Sequence, residues 1–306
     1  MIRTLFLPGL AVNEAGQGAW TCLVSGDEEC DGDDYCTSSC TRPPCYDDNA
    51  CPQLSWVTIQ SGSFNQGSTT GNSDELPVHS VDVPTFKIMK TEVTVAMYKA
   101  CVDASYCTAP NCTGSSTSTS PYCNYGASAT RHNHPVNYVS WHQMMTFAAW
   151  VGARLPTESE WEFTASSRTG ATYPWGETSP TCTFADFLLN GSSCNGAGTS
   201  PVCNTTSGDS AQDVCDLGGN LLEWVQDEGH SSYTGAPNDG TGWCSGSACP
   251  ENANDSLYNA SDTANRVLRG GGWNDGASSI RAAHRNGNGA SSQLNDVGGR
   301  LARSVD

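Results

Sequence analysis

Apolar and polar positions change texture along the chain. Trp56–Ile59 and Val78–Ile88 alternate or run apolar, and short runs of that kind predict strands, with Gly62–Gly71 as the loop between them. Three helices follow. Thr94 is placed to cap one whose apolar positions are Met97, Tyr98 and Cys101. Ser140 with Gln143, and Thr157 with Glu160, form capping boxes ahead of two further apolar runs. In such a box the first side chain accepts from a backbone N–H one turn on, and the later side chain reaches back. Residues 104–133 read as loop.

After Ala165 regular patterning thins out. Tyr173–Glu177 is a turn with aromatic anchors, and the chain stays polar up to Cys215. Asp216–Asp227 (DLGGNLLEWVQD) is followed by another polar loop to Asn265. Two short strand-like runs, Arg266–Arg269 and Ile280–Arg285, flank the corner Gly270–Gly272, where the backbone is free to bend sharply or pass close to another segment. Trp273 is expected to plug into the core. Asn274–Asp296 is dominated by Asn, Asp, Gly, Ser and Ala, which build loops with polar edges, so much of any ligand contact is expected there. No internal repeat is apparent. The pattern predicts an α+β domain with little regular secondary structure.

Composition narrows the setting. The 306 residues suffice for one large domain with an appendage, and the net charge is −18. That acidity argues against nucleic acid, whose phosphates need Lys and Arg, and suits calcium, which takes carboxylate and carbonyl oxygens. The sixteen cysteines sit at close spacings without a C-x-x-C pair, which suggests disulfides closing short loops rather than zinc ribbons. Spacing does not fix connectivity; sequential pairs from Cys101 onward are one arrangement among many. Six of the cysteines fall within residues 21–52, a segment too poor in aliphatics to form its own core. Three parts are therefore expected: a leader-like segment over 1–20, a cysteine-rich acidic segment over 21–52, and the main domain over 53–306. Oxidised cysteines point to export, and no stretch is long and apolar enough to span a membrane.

Six motifs occur in series: Glu92-Val93-Thr94; His134-Pro135-Val136 leading into Val139-Ser140-Trp141; Arg154 to Glu162 (RLPTESEWE); Tyr173-Pro174-Trp175-Gly176; Gly219 to Trp224 (GNLLEW); and Arg266 to Trp273 (RVLRGGGW). Together, over roughly Leu54 to Arg303, they resemble the formylglycine-generating enzyme, or sulfatase-modifying factor, family. The resemblance implies a disulfide-rich variant of the C-type lectin fold with bound calcium. It also implies oxidation of a sulfatase cysteine to formylglycine by oxygen and copper, the copper being held by two cysteines after the glycine corner. This sequence departs from the family at that point. Its last cysteine is Cys249; Asp275 stands at the first copper position and Ile280 near the second. Copper(I) needs soft thiolates, so no copper is expected. Gly272 replaces the family serine, and the closing motif is Gly298-Gly299-Arg300.

For calcium, the resemblance implies Asp216 and Glu223 side chains with Gly219 and Leu221 carbonyls, and a second site at Asp186 and the Phe187 carbonyl. The alternative for Glu223 is a pair with an arginine. His132, His134 and His142 lie close in sequence but read as structural or surface groups, since His134 and His142 sit in the fold motif and a capped helix. Arg154, Trp161, Trp175, Trp224, Trp273, Arg281 and Arg285 read as framework. The residues expected to meet a ligand are Trp273, Asn274, Asp275, His284, Asn286, Asn288, Leu294 and Asn295.

Two function classes follow. One is a non-catalytic recognition module for a protein, peptide or glycan. A particular form of it resembles the variable proteins of diversity-generating retroelements. Asp275, Gly276, Ser279, His284, Gly287, Gly289, Ser292, Leu294 and Asp296 are one- or two-base products of an Asn codon, as the varied positions of those proteins are. The other class is an enzyme: the family oxidase, or a different chemistry in the same groove.

Overall fold

The computed structural model describes residues 43–305 apart from 48–49, 113–119, 128, 197 and 246–247, and the backbone of two paired segments near the start. Those segments are β1 (Cys22–Leu23) and β2 (Glu29–Cys30), antiparallel to each other. The leader-like segment 1–20 and Cys36 and Cys40 lie outside the described residues. A short helix, α1 (Pro44–Asp47), follows.

The chain then forms β3 (Trp56–Ile59), β4 (Gly62–Gln66), β5 (His79–Val83) and β6 (Phe86–Met89). The expected loop Gly62–Gly71 is in part a strand: β4 pairs antiparallel with β5, from Gly62↔Val83 to Gln66↔His79. Its alternation is hidden because only Phe64 and Gln66 face inward, and one of the two is polar. The run Val78–Ile88 splits at Pro84, which has no N–H for a ladder.

Helices α2 (Val95–Asp103), α3 (Trp141–Trp150) and α4 (Glu158–Ala165) begin at the expected caps. Gln143 N donates to Ser140 Oγ at 3.2 Å, while Ser140 N donates to Gln143 Oε1 at 3.0 Å. Thr157 and Glu160 repeat the exchange at 3.1 and 3.0 Å. Helix α4 is buried along its whole length, its glutamates included.

The second half supplies β7 (Leu188–Leu189), β8 (Ser192–Ser193), β9 (Leu222–Glu228), β10 (Asn265–Arg269), β11 (Arg285–Gly289), β12 (Val297–Gly298) and β13 (Ala302–Ser304). One sheet runs in the order β11-β10-β9-β12, and another in the order β13-β6-β3. The latter joins the two ends of the main domain, with Ala302↔Ile88 and Trp56↔Met89 in register. Ile280–Arg285 is not a strand: β11 starts at Arg285, and the preceding residues are turns.

Tryptophans hold the centre. Trp141, Trp150, Trp161 and Trp224 are fully buried, and three of their indole N–H groups have acceptors: Val225 O for Trp141, Glu223 Oε2 for Trp161 and Val139 O for Trp224, all at 2.9–3.0 Å. The end of the cysteine-rich segment joins this core through Cys45. Six disulfides are described: Cys45–Cys51, Cys101–Cys107, Cys112–Cys123, Cys182–Cys194, Cys203–Cys215 and Cys244–Cys249. Those from Cys101 onward are sequential pairs.

Candidate functional site

The glycine corner sets the geometry. Gly270 and Gly271 have φ of 94° and 69°, and a Cβ on Gly271 would stand 2.8 Å from the Ser279 carbonyl oxygen. The corner thus lets the loop 273–284 fold back against β10. Three arginines then fasten the C-terminal loops to acids elsewhere in the chain. Arg269 is fully buried; it donates to the carbonyls of Ala282, Ala283 and His284, and to Glu162 Oε2 at 2.5 Å. Arg285 forks onto Glu158 at 2.6 and 2.9 Å, and Arg281 onto Glu75 at 2.6 and 2.9 Å. Such bidentate pairs fix orientation as well as charge. The framework reading of Arg281 and Arg285 agrees with these contacts, and Arg154 does the same with Glu160 at 2.7 Å.

Above this framework lies a polar face. Trp273 is 7% exposed, packs against Tyr122 with ring centroids 5.1 Å apart, and directs Nε1–H toward Asn295 O at 3.4 Å. Asn137 Nδ2 donates to the same carbonyl at 2.6 Å. Asn274 Nδ2 donates to Asp296 Oδ2 at 3.0 Å, while Asn274 Oδ1 is buried without a partner. Burial pushes the Asp296 carboxyl up, against the lowering effect of that Asn274 bond. Asp275 Oδ2 accepts from Gly272 N at 3.0 Å, and its carbonyl accepts from Leu188 N at 2.7 Å. Leu294 is exposed nearby, its carbonyl accepting from Tyr138 N.

The expected contact residues therefore separate into groups. Trp273 reaches Asn295 and Asn274 reaches Asp296, Leu294 is exposed next to Asn295 in the chain, and Asp275 caps the turn after Gly272. Asn286 and Asn288 lie on β11, at the opposite edge of the sheet from β12, about 14 Å away at the usual ~4.8 Å strand spacing. Their Oδ1 atoms accept from the following backbone N–H groups. His284 stands with Arg281 and Glu75; its Nδ1 is buried without a partner, and burial, then Arg269 and Arg281, lower its pKa. Sequence reasoning missed Tyr122, Asn137 and Glu75, which reach the face from far away in the chain.

Behind the face, the residues assigned to calcium fall in two settings. Glu223 is fully buried, with Oε1 taking Arg300 Nη2 at 2.6 Å and Oε2 taking Arg300 Nε at 2.7 Å and Trp161 Nε1 at 2.9 Å. Asp216 accepts from Cys203 N at 2.6 Å, and burial pushes it up to about 6. Glu92, also fully buried, is held well above the usual carboxylate range by burial and by Asp216 and Glu223. Three carboxylates thus share one guanidinium. Gly219 (φ 94°) turns beside Asp186: a Cβ there would stand 2.4 Å from the Asp186 carbonyl. Asp186 differs from Glu223. Its Oδ2 accepts from Ser200 Oγ at 2.9 Å, but Oδ1 is buried with no partner, and burial pushes the carboxyl up to about 6. A hard cation fits that free oxygen better than the saturated Glu223. The Phe187 carbonyl already accepts from Cys194 N at 3.0 Å. Among the described residues no three His, Cys, Asp or Glu side chains converge as a metal cluster. A calcium ion here would draw on main-chain carbonyls too.

His134 bonds Thr199 Oγ1 at 3.0 Å, and His142 is held between the Tyr258 hydroxyl and the Asp262 carbonyl. His132 is exposed. The three do not form a site. The twelve cysteines from Cys45 to Cys249 are all disulfide-bonded.

The profile of the sulfatase-modifying factor enzyme 1-like domain matches residues 46–305. The chain belongs to this sulfatase-modifying factor family. A curated relative, the serine/threonine-protein kinase Pkn1 of Chlamydia trachomatis, is 29% identical over 266 residues, covering 81% of this chain but 38% of that protein. The chain thus spans well under half the length of that relative. Among solved structures, PvdO from Pseudomonas aeruginosa superimposes with a TM-score of 0.63 at 24% identity, covering 84% of this chain and 95% of that one. Treponema denticola variable protein 1 does so with 0.56 at 20% identity, covering 81% and 94%. These likenesses carry the shared family fold. Among the described residues no helix is long and apolar enough to cross a membrane.

Proposed function

We propose that this chain is an exported recognition module on the sulfatase-modifying scaffold, that it binds a protein, peptide or glycan through the face around Trp273, and that it does not perform the family's copper oxidation. One observation carries the reading. Asp275 stands where the resemblance puts the first copper ligand; its side-chain Oδ2 caps the turn by accepting from Gly272 N, and its main-chain carbonyl accepts from Leu188 N. The second position falls near Ile280, which is fully buried. Hard oxygens and an alkyl group do not replace a pair of thiolates.

The loops of Asn274–Asp296 hang from the buried Arg269 and Arg285 and from the half-buried Arg281. Exposed positions there can change without disturbing the core, as a diversified surface requires. The unpartnered Asn274 Oδ1 supports a polar ligand, since buried polar atoms normally have partners. The disulfides support an oxidising destination. We assign a structural calcium to the Asp186 side, on the strength of its free Oδ1.

The test is turnover. The calcium-loaded protein is incubated with a sulfatase-type cysteine peptide, copper and oxygen, beside an active family enzyme, and aldehyde is read by mass. No conversion is expected; sustained conversion overturns the reading and establishes the oxidase instead. A near-copy of the gene's 3′ end beside a reverse transcriptase gene is the observation that separates the diversified form from an ordinary binding module.

A further inference from the structure

A cavity of about 520 Å³ is lined by Arg154, Gln226, Trp243, Glu251 and both residues of the Cys244–Cys249 disulfide. Two features set this disulfide apart from a passive staple. It borders open volume, so a small molecule can reach it from the cavity even though Cys249 is only 7% exposed. A fixed cation also touches one sulfur: Arg266 Nη1 lies 3.2 Å from Cys244 Sγ. Arg266 is itself 3% exposed and held in place by the Gln226 carbonyl at 2.9 Å, by Asp262, and by the Trp141 ring beneath it at 4.1 Å. Glu228, at 3.9 Å, and Asp262 offset part of its charge, but its Nη1–H still points at the sulfur.

We infer that Cys244–Cys249 is a thiol–disulfide exchange site, entered from this cavity by an external small thiol, with Cys244 as the leaving sulfur. A neighbouring guanidinium lowers a thiol pKa and so improves it as a leaving group. The incoming thiolate attacks Cys249 Sγ and forms a mixed disulfide. The Cys244–Cys249 bond breaks, and its electron pair goes to Cys244 Sγ, where the Arg266 N–H stabilises the thiolate. A second thiolate then attacks the outer sulfur of the mixed disulfide, releasing the oxidised external disulfide and Cys249 thiolate. Two electrons pass from two external thiols to the cysteine pair.

Cys182–Cys194 is the internal reference, because Cys182 is exposed and accessibility alone would open that bond first. The full chain is treated with limiting cysteine as the probe thiol, alkylated at intervals, and mapped by mass. Cys244 and Cys249 are expected to label about tenfold faster than Cys182 and Cys194. Equal rates, or Cys182–Cys194 opening first, overturn the inference. Arg266→Gln is expected to slow opening of Cys244–Cys249 several-fold and leave the reference unchanged. Since Arg266 is buried and that variant risks misfolding, a second readout uses the unmodified sequence. In partly reduced protein, the pH dependence of alkylation should give Cys244 a thiolate pKa below the ordinary value of about 8.5 and below that of Cys249. A Cys244 pKa at or above Cys249's overturns the inference independently.

Discussion

Arg300 and Glu223 meet face to face inside the protein, both fully buried, through two parallel bonds of 2.6 and 2.7 Å. Arg300 also donates to the carbonyls of the neighbours Met89 and Lys90 and of Cys215, so it binds two further segments besides β9. Removing one partner leaves an uncompensated buried charge. Arg300→Met is therefore expected to destabilise the fold by about 3–5 kcal/mol. Glu223→Gln should cost less, since an amide oxygen still accepts. The double variant should be more stable than the two single losses added together. Denaturant unfolding of the four proteins measures this, and strict additivity would mean that the two groups are not coupled.

Asp227 gives the fold a pH dependence of the opposite sign to an ordinary paired carboxylate. It accepts from Glu158 N at 2.7 Å and Trp243 N at 2.8 Å, yet burial, reinforced by Glu158, pushes its carboxyl up to about 7. With the folded pKa above the unfolded value near 4, the native state binds more protons in between. Stability from this group therefore falls as pH rises from about 4 to about 7. Asp227→Asn is expected to lose less stability than the parent between pH 5 and pH 8, even if it is weaker at pH 5 from a disturbed N–H bond. Urea midpoints at the two pH values decide it. Identical pH slopes would show that Asp227 is ionised throughout.

Local signals were legible and distant ones were not. Ser140 with Gln143 and Thr157 with Glu160 mark helix starts because each cap is complete within four residues. The tryptophan-centred core followed from the motifs around Trp141, Trp161 and Trp224. Strand β4 was hidden, because an inward Gln66 breaks the apolar alternation and its partner His79–Val83 alone shows the ladder. Ile280–Arg285 looked like a strand by composition, but Arg269 claims the carbonyls of residues 282–284 that a ladder would need. At the candidate face, Trp273 and Asn274 were readable from the glycine corner. Tyr122 lies 151 positions from Trp273 (273 − 122) and has no motif of its own, so only the fold reveals the pair.

The Glu75–Arg281 pair spans 206 residues and pins the loop after the glycine corner to the turn Ser73–Glu75. Burial pushes the Glu75 carboxyl up, but Arg281 and the Asn72 N–H outweigh it and hold the carboxyl below its usual range. Arg281→Ala should free both partners locally while leaving Arg269 and Arg285 to hold the rest. Amide exchange is expected to quicken over residues 72–76 and 276–284, with α3 and β9 unchanged. Quickened exchange throughout the domain would instead make this pair a determinant of global stability.

Calcium binding offers a test that separates the two acidic settings. At Asp186 one buried oxygen is free, whereas both oxygens of Glu223 are already bonded to Arg300 and Trp161. A cation bound only by the folded state stabilises it by about 2.7 kcal/mol at a hundred times its Kd, or roughly 5–11 °C at about 2–4 °C per kcal/mol for a domain of this size. Calcium added to chelator-stripped protein should therefore raise Tm by several degrees. Magnesium should do less, because it demands a tighter octahedral shell and sheds water reluctantly. Asp186→Asn removes the charge but keeps a polar group of the same shape, so it should fold and lose most of the calcium-dependent shift. The same rise in Asp186→Asn as in the parent would place the ion elsewhere. No rise in either would mean that the Asp186 carboxyl needs no cation, and that the family's calcium is not held at this position.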